Sequence, residues 1–216
     1  MKILFLAKKG DEASLSAASE LREQGFDVAD YYGQWGEPLP EAAKQWTGDI
    51  IISYLSRWVV PQYLLDQAQV AAINFHPAPP EYPGIGCNNF ALYNGESSYG
   101  VTCHHMEATV DTGAIIAVSE FPLSPSDNVE STLRRTYDAQ RSLFSEVINT
   151  FVQQGEFPVS DRVWSRKPYT REEFNALFEI TSDMTQQEVE KRIRAVSFGD
   201  YQPFIKLHGH TFKLAK

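Results

Sequence analysis

The residues best suited to chemistry are Asn74 and His76, which stand two positions apart at the end of an apolar run. On a strand, such positions face the same way, so the amide and the imidazole would point together from one strand end. Asp111 follows in a turn-like stretch that ends at Gly113. A carboxylate beside a histidine fixes its tautomer and raises its basicity. The three groups together could polarise a carbonyl group and move a proton.

A structural role is the alternative for this pair: Asn74 would cap a loop and His76 would satisfy its backbone. The loop from His76 to Cys87 favours a binding role instead, since it holds four prolines and two glycines. Such a composition fixes a definite backbone path, which can present backbone groups to a ligand.

Strand and helix patterns alternate through the first half of the chain. Apolar runs at residues 2–7, 49–54 and 70–75 predict buried strands, with helical patterns between them that include residues 61–68. This alternation predicts an α/β fold: a Rossmann-like, mostly parallel sheet with helices on both faces. Ligands bind such sheets at the carboxyl ends of the strands, where Asn74 and His76 stand.

The second half divides into two parts. Residues 99–106 and 114–121 predict strands, and residues 129–153 predict a long helix. After Pro158 the pattern changes to short helices and a final hairpin. We therefore expect a main domain over residues 1–158 and a small C-terminal α+β unit over residues 159–216.

Composition excludes several classes of function. The 216 residues carry a net charge of -9 with no basic cluster, so we expect no nucleic-acid partner. The apolar start is too short for a signal peptide or a membrane span, which predicts no membrane partner and a cytoplasmic location. The two cysteines match neither a disulfide framework nor a zinc signature, and we expect no metal.

Three motifs carry a family resemblance: INFHPAPPEYPGIGC, GVTCHHM and VDTGAII. Together and in this order they resemble the 10-formyltetrahydrofolate-dependent formyltransferases. The resemblance implies that residues 1–158 are the catalytic domain, that Asn74, His76 and Asp111 are catalytic, and that 10-formyltetrahydrofolate is the co-substrate. The residues that it assigns to folate binding are Ser56, Arg57, Trp58, Gly84, Ile85, Gly86, Val110 and Gly113.

The acceptor is a separate question. Glycinamide ribonucleotide enzymes carry a Gly/Ser/Asn-rich phosphate loop where this chain has residues 7–11, AKKGD. Methionyl-tRNA enzymes carry a basic C-terminal domain. The chain instead resembles the sugar-nucleotide branch, which implies the amine of a nucleotide-linked amino sugar, such as a dTDP-amino sugar. Glycinamide ribonucleotide stays an alternative acceptor, and a non-catalytic folate or sugar-nucleotide binding protein is the alternative outside enzymes.

Candidate contacts to the sugar nucleotide come from aromatic and basic side chains. Aromatic faces stack on bases and basic groups meet a diphosphate. The candidates are Lys8, Lys9, Tyr82, Trp164, Arg166, Lys167 and Tyr169. His104 and His105 would face opposite sides of a strand, which favours structural roles for both. We expect a homodimer built on the C-terminal unit, because that unit alone is too small for its own core.

Overall fold

The computed structural model describes residues 1–215, which are built around one six-stranded sheet. The strands are β1 (Lys2–Lys8), β2 (Asp27–Gly33), β3 (Gly48–Tyr54), β4 (Ala68–His76), β5 (Ser98–His105) and β6 (Ile115–Pro122). They lie in the order β2-β1-β3-β4-β5-β6. The first four are parallel, whereas β5 runs antiparallel to β4 and β6 antiparallel to β5.

Helices cover both faces of this sheet. They are α1 (Glu12–Glu23), α2 (Glu41–Lys44), α3 (Gln62–Leu65), α4 (Cys87–Asn94) and α5 (Val129–Gln154). Phe5 packs in one core cluster with α1 and α5, and Leu4 and Leu6 pack in another with α2 and α3. Successive residues of β1 point to opposite faces, so the clusters lie on opposite sides of the sheet. The predicted Rossmann-like, mostly parallel sheet is confirmed.

Local sequence explains the main elements. The run from Ile3 to Ala7 is completely buried, as expected for a parallel strand covered on both faces. The long helix α5 begins where the Asn128 side chain accepts a hydrogen bond from the Ser131 amide. It ends at Gly155, whose φ of 78° lies in the left-handed region that glycine tolerates.

The C-terminal part forms a second, smaller layer. Its elements are α6 (Arg171–Ala176), β7 (Glu179–Ile180), α7 (Gln186–Val196), β8 (Phe204–Leu207) and β9 (His210–Lys213), with the strands in the order β7-β8-β9. Helix α7 packs on α4, and Asn89 Nδ2 donates to the carbonyl oxygen of Ala195 at 2.6 Å. The small α+β unit is confirmed, while its boundary at residues 158/159 stays a prediction and Lys216 lies outside the described residues.

One expected helix is shorter than the sequence indicates. The pattern over residues 61–68 predicts a helix, but α3 ends at Leu65 and Ala68 already belongs to β4. Ala68 pairs there with Gly48 of β3, so strand pairing outweighs the local helical pattern. Across residues 1–215, the structure holds no helix with the length and apolar character that a membrane span requires.

Candidate active site

Asn74 and His76 lie at the carboxyl end of β4, and both line the same cavity. Strand β5 pairs antiparallel with β4 and places His104 directly opposite Asn74. Asn74 Nδ2 lies 3.0 Å from His104 Nε2. His104 Nδ1 lies 2.7 Å from the carbonyl oxygen of His105, which can only accept, so Nδ1 carries a hydrogen.

Asp111 lies in the loop between β5 and β6, and its carboxylate contacts both histidines. Its Oδ2 lies 3.3 Å from His76 Nδ1, and its Oδ1 lies 3.3 Å from His104 Nε2. The Gly84 amide donates a third contact, to Oδ2 at 2.7 Å. The backbone of Asp111 has a φ of 51°, in the left-handed region, and these contacts hold it there. The structure thus brings the three predicted side chains together and adds His104.

The charge of Asp111 follows from these contacts. Burial alone raises its pKa, because it withdraws water from the carboxylate. The charge of His76, the hydrogen bond and charge of His104 and the Gly84 amide outweigh burial, and the pKa of Asp111 falls to about 2. One fixed negative charge therefore lies between two imidazole rings at neutral pH.

His76 has both ring nitrogens engaged within the protein. Nδ1 faces Asp111, and Nε2 lies 3.0 Å from the carbonyl oxygen of Tyr82. Both partners are acceptors, which suits a ring with a hydrogen on each nitrogen. Trp164 packs edge-on against the rings of His76 and His104, with centroid distances of 5.8 and 5.0 Å. His76 can therefore donate to a substrate oxygen only by exchanging one of these partners.

The proline- and glycine-rich loop is fastened by the C-terminal part of the chain. The Tyr169 amide donates to the Pro83 carbonyl at 2.9 Å, and the Ile85 amide donates to the Tyr169 carbonyl at 3.3 Å. Gly84 has a φ of 89°, and a Cβ there would overlap the backbone of Tyr169. Only glycine fits, so the Gly84 amide is held in place against Asp111.

A cavity of about 550 Å³ opens beside these polar side chains. This volume lies within the usual range of small-molecule sites. Two apolar walls line it, each continuous with a different core cluster. The α3 wall consists of Trp58, Val60 and Met106, and the α5 wall consists of Val129, Leu133 and Phe178.

A comparison with known families matches residues 32–148, more than half of the chain, to the formyl transferase family. The chain belongs to the formyl transferase family. The matched range contains Asn74, His76, His104 and Asp111, so the polar cluster belongs to the shared part of the fold.

Relatives of this formyl transferase act on different acceptors, as their names state. Methionyl-tRNA formyltransferase of Levilactobacillus brevis is 33% identical over 101 residues, which is 46% of this chain and 32% of the relative. GDP-perosamine N-formyltransferase of Brucella melitensis biotype 1 is 27% identical over 179 residues, which is 82% of this chain and 68% of the relative. The chain thus spans about a third of the first relative's length and about two thirds of the second's.

A solved formyltransferase structure shares the fold. The N-formyltransferase from Helicobacter canadensis, in complex with folinic acid and dTDP-3-aminofucose, aligns with a TM-score of 0.75 at 20% identity. The alignment covers 97% of this chain and 85% of that chain, so it includes the C-terminal part.

Most residues predicted to hold the folate line the formyl transferase cavity. They are Ser56, Arg57, Trp58, Gly84, Ile85, Gly86 and Val110. Gly113 lies outside the lining, and its contact with the folate stays a prediction. A Cβ on Gly113 would overlap the carbonyl group of His105, and its own carbonyl accepts from Trp164 Nε1 at 2.8 Å. Gly113 therefore closes the loop that carries Asp111.

The basic residues predicted to meet a diphosphate separate into two groups. Lys8 lines the cavity and pairs with Asp11 at 3.2 Å. Lys9, Arg166 and Lys167 lie outside the lining, and their contact with a diphosphate stays a prediction. Lys9 and Arg166 are engaged elsewhere, with Glu37 at 3.5 Å and Glu173 at 3.1 Å, respectively.

The aromatic residues predicted to stack on a base all pack against other side chains, and Trp164 and Tyr169 are half-buried. Tyr82 is buried, and its hydroxyl donates to Glu96 at 2.6 Å. Tyr169 stacks on Phe90 at 3.7 Å, and the Arg166 guanidinium lies 3.2 Å from its ring centre, so both of its faces are covered. Trp164 rests against the two histidines. None of the three rings lines the cavity, and their assignment to base binding stays a prediction.

Sequence reasoning missed residues of two kinds. His104 was expected to be structural because it alternates with His105, but the alternation leaves one of the two facing the site. Pairing β5 beside β4 would have identified His104. Phe198 and Tyr201 line the cavity and are exposed, and no local motif marks them.

Proposed function

We propose that this formyl transferase moves a formyl group from 10-formyltetrahydrofolate to the amine of a nucleotide-linked amino sugar. The observation that carries the proposal is the polar cluster at the edge of a cavity with two apolar walls: Asp111 contacts His76 and His104, and His104 contacts Asn74. Two walls beside one polar cluster suit a reaction in which two substrates meet at a single carbon.

The residues present fit a folate along the α3 wall. Trp58 and Met106 offer an apolar slot for a flat ring system, and Trp58 is fixed because its Nε1 donates to the Glu37 carbonyl at 2.9 Å. Val110 and the loop from Gly84 to Gly86 line the same cavity and contribute backbone groups. The Helicobacter canadensis N-formyltransferase, which shares this fold, is in complex with folinic acid, and this supports a folate as co-substrate here.

The α5 wall suits the acceptor. Phe178, Phe198 and Tyr201 present aromatic surface there, and Lys8 presents a positive charge. Asn88 Nδ2 also belongs to the lining and is buried without a hydrogen-bond partner among residues 1–215. Such a donor costs about 1–3 kcal/mol, which an acceptor oxygen of a bound ligand would offset.

The relatives favour a sugar nucleotide over tRNA. GDP-perosamine N-formyltransferase aligns over 82% of this chain, whereas methionyl-tRNA formyltransferase aligns over 46%. A net charge of -9 also opposes binding to a long polyanion.

The residues of the polar cluster have different roles in this reaction. 10-formyltetrahydrofolate supplies the formyl carbon that the amine attacks. The Asn74 side-chain amide, which lines the cavity, donates an N–H to the formyl oxygen as negative charge develops there. A donor of this kind is worth about 10²–10³ in rate. The bond between the formyl carbon and N10 then breaks, and N10 of the leaving tetrahydrofolate takes up the proton that the amine loses.

Asp111 acts mainly through charge in this scheme. A carboxylate with a pKa of about 2 is a weak base, so a water relay through it transfers protons poorly. Its stronger contribution is to orient His76 and His104 and to stabilise positive charge on them.

The test is a reaction of the protein with 10-formyltetrahydrofolate and a panel of acceptors, followed by release of tetrahydrofolate. The panel holds GDP- and dTDP-linked 3-amino and 4-amino sugars and glycinamide ribonucleotide. We expect release that depends on an amino sugar nucleotide. Release with glycinamide ribonucleotide alone would favour the alternative acceptor, and release with no acceptor would identify a hydrolase. Folate binding without any release would identify a non-catalytic binding protein.

We further propose a homodimer formed through the C-terminal hairpin. Strands β8 and β9 expose Ile205, Leu207 and Phe212, and β9 is an edge strand of its sheet. Exposed apolar edges tend to pair with a second chain. Phe212→Asp should yield a monomer in sedimentation experiments, and a wild-type protein that sediments as a monomer would contradict the proposal.

A cytoplasmic location completes the proposal. Cys87 and Cys103 are both free thiols, in keeping with a reducing compartment. Cell fractionation that finds the protein outside the cytoplasm would contradict it.

A further inference from the structure

Two arginines stand beside an exposed tryptophan at the mouth of the cavity. Trp35, in the loop after β2, is 63% exposed. The Arg57 guanidinium lies 5.0 Å from the centre of its ring, and the Arg171 guanidinium lies 5.7 Å from it. All three side chains line the cavity. They come from three separate parts of the chain, which folding brings to one place.

These arginines differ from most others in the protein. Arg22, Arg135 and Arg192 each pair with a carboxylate at 3.0 Å or less. Arg57 and Arg171 have no carboxylate partner among residues 1–215, although acidic residues outnumber basic ones by 28 to 19. Of the other basic side chains, Lys8 lines the cavity but is already paired with Asp11. Arg57 and Arg171 are therefore the basic side chains of the cavity lining that no carboxylate of residues 1–215 neutralises.

We propose that Trp35, Arg57 and Arg171 form a clamp for the p-aminobenzoyl-glutamate end of the folate co-substrate. The exposed indole offers a face for the benzoyl ring, and the two guanidinium groups offer donors for the glutamate carboxylates. This inference rests on the proposed function, and it extends the site beyond the ring system held on the α3 wall.

The position of Arg57 decides between folate and the diphosphate of the acceptor. Arg57 follows Ser56 and precedes Trp58, so it lies on the segment that forms the α3 wall. A folate along that wall leads its glutamate end past Arg57 and Trp35. Lys8, which contacts Tyr137 of α5 at 5.5 Å, is instead the cation beside the α5 wall.

The clamp also predicts a preference among folates. Each additional glutamate brings one more carboxylate to a mouth with two unpaired guanidinium groups, so affinity should rise with glutamate number and fall with salt. Arg171 belongs to the C-terminal part of the chain, which therefore contributes to folate binding as well as to the acceptor site.

The experiment measures dissociation constants for 5-formyltetrahydrofolate carrying one or three glutamates. The proteins are wild type, Arg57→Gln, Arg171→Gln and the double variant. Arg134→Gln is the matched control, because Arg134 also lacks a carboxylate partner among residues 1–215 but lies outside the cavity lining. Thermal unfolding confirms that each variant is folded.

We expect the double variant to weaken monoglutamate binding about tenfold and to lose the preference for the triglutamate. The KM of the amino sugar nucleotide should stay within about twofold of wild type, and the control should match wild type. Unchanged folate affinity, or a raised KM for the sugar nucleotide instead, would overturn the clamp alone. A wild-type protein that binds no folate would overturn both the clamp and the proposed function.

Discussion

The carboxyl edge of the sheet and the C-terminal part both reach the cavity, but they contribute in different ways. At the sheet edge, Asn74, His76, His104 and Asp111 are buried or half-buried and already contact one another. In the C-terminal part, three of the side chains that line the cavity are exposed, namely Arg171, Phe198 and Tyr201, of which Tyr201 is 65% exposed. Reactive groups are thus positioned before any ligand arrives, whereas the binding surface is left open.

This contrast shows where each kind of function can reside. A buried polar network costs stability unless every member is satisfied, so its geometry is tightly fixed. An exposed aromatic surface can vary without disturbing the core, and it can adapt to different bases.

The largest expected effect comes from the fixed edge. Asp111→Asn keeps the shape but removes the charge between the histidines, and we expect kcat to fall about 10³–10⁴-fold, as for the loss of a buried carboxylate beside a catalytic histidine. Circular dichroism should be unchanged. Turnover close to wild type would show that the contact with His76 is structural only.

The second prediction tests the contact between the Tyr169 backbone and the loop that holds Gly84. Gly84→Ala places a Cβ against the Tyr169 backbone at a φ of 89°, so we expect a loss of about 2–4 kcal/mol in the free energy of unfolding. Activity should fall as well, because the Gly84 amide would move away from Asp111. Gly36→Ala has a comparable φ of 85° with open space around it, and should cost less. Equal costs at both positions would exclude a role for Tyr169.

A smaller effect separates open from packed aromatic rings. Tyr201→Ala should raise the KM for the sugar nucleotide about tenfold with little change in kcat, since stacking on a base is worth about 1–3 kcal/mol. Tyr82→Phe removes the hydrogen bond to Glu96 and should lower stability while leaving that KM unchanged. If Tyr82→Phe raised that KM and Tyr201→Ala did not, the base would bind at Tyr82 and not at Tyr201.

The smallest effect concerns pH. The unfolded pKa of an aspartate is about 3.9, and that of Asp111 in the folded protein is about 2. The resulting stabilisation is complete above pH 4 and is lost as the pH falls towards 2. Urea unfolding of wild type and Asp111→Asn should therefore converge between pH 4 and pH 2. A difference that stays constant over this range would contradict the lowered pKa.

The same contrast explains what the sequence could predict. Asn74 and His76 were predictable because strand alternation is local and strand ends in parallel sheets converge. The fold class was predictable for the same reason, from buried strands alternating with helices. His104 was not, because its role depends on which strand lies beside β4 and on the register between them.

The aromatic residues show the limit of local reasoning most clearly. Tyr82, Trp164 and Tyr169 have suitable chemistry for stacking, but their availability depends on contacts with distant parts of the chain. Phe90 and Arg166 cover both faces of Tyr169. Trp35 and Arg171 stand far apart in sequence and meet only in the folded protein.

The most direct test of the account is a structure of the protein with 5-formyltetrahydrofolate and an amino sugar nucleotide. The account predicts that the sugar amine lies next to N10 of the folate, the nitrogen that carries the formyl group in the reaction, and that the Asn74 side chain faces the space between the two. A folate ring system bound away from the α3 wall, with Asn74 and Asp111 in contact with neither ligand, would contradict it.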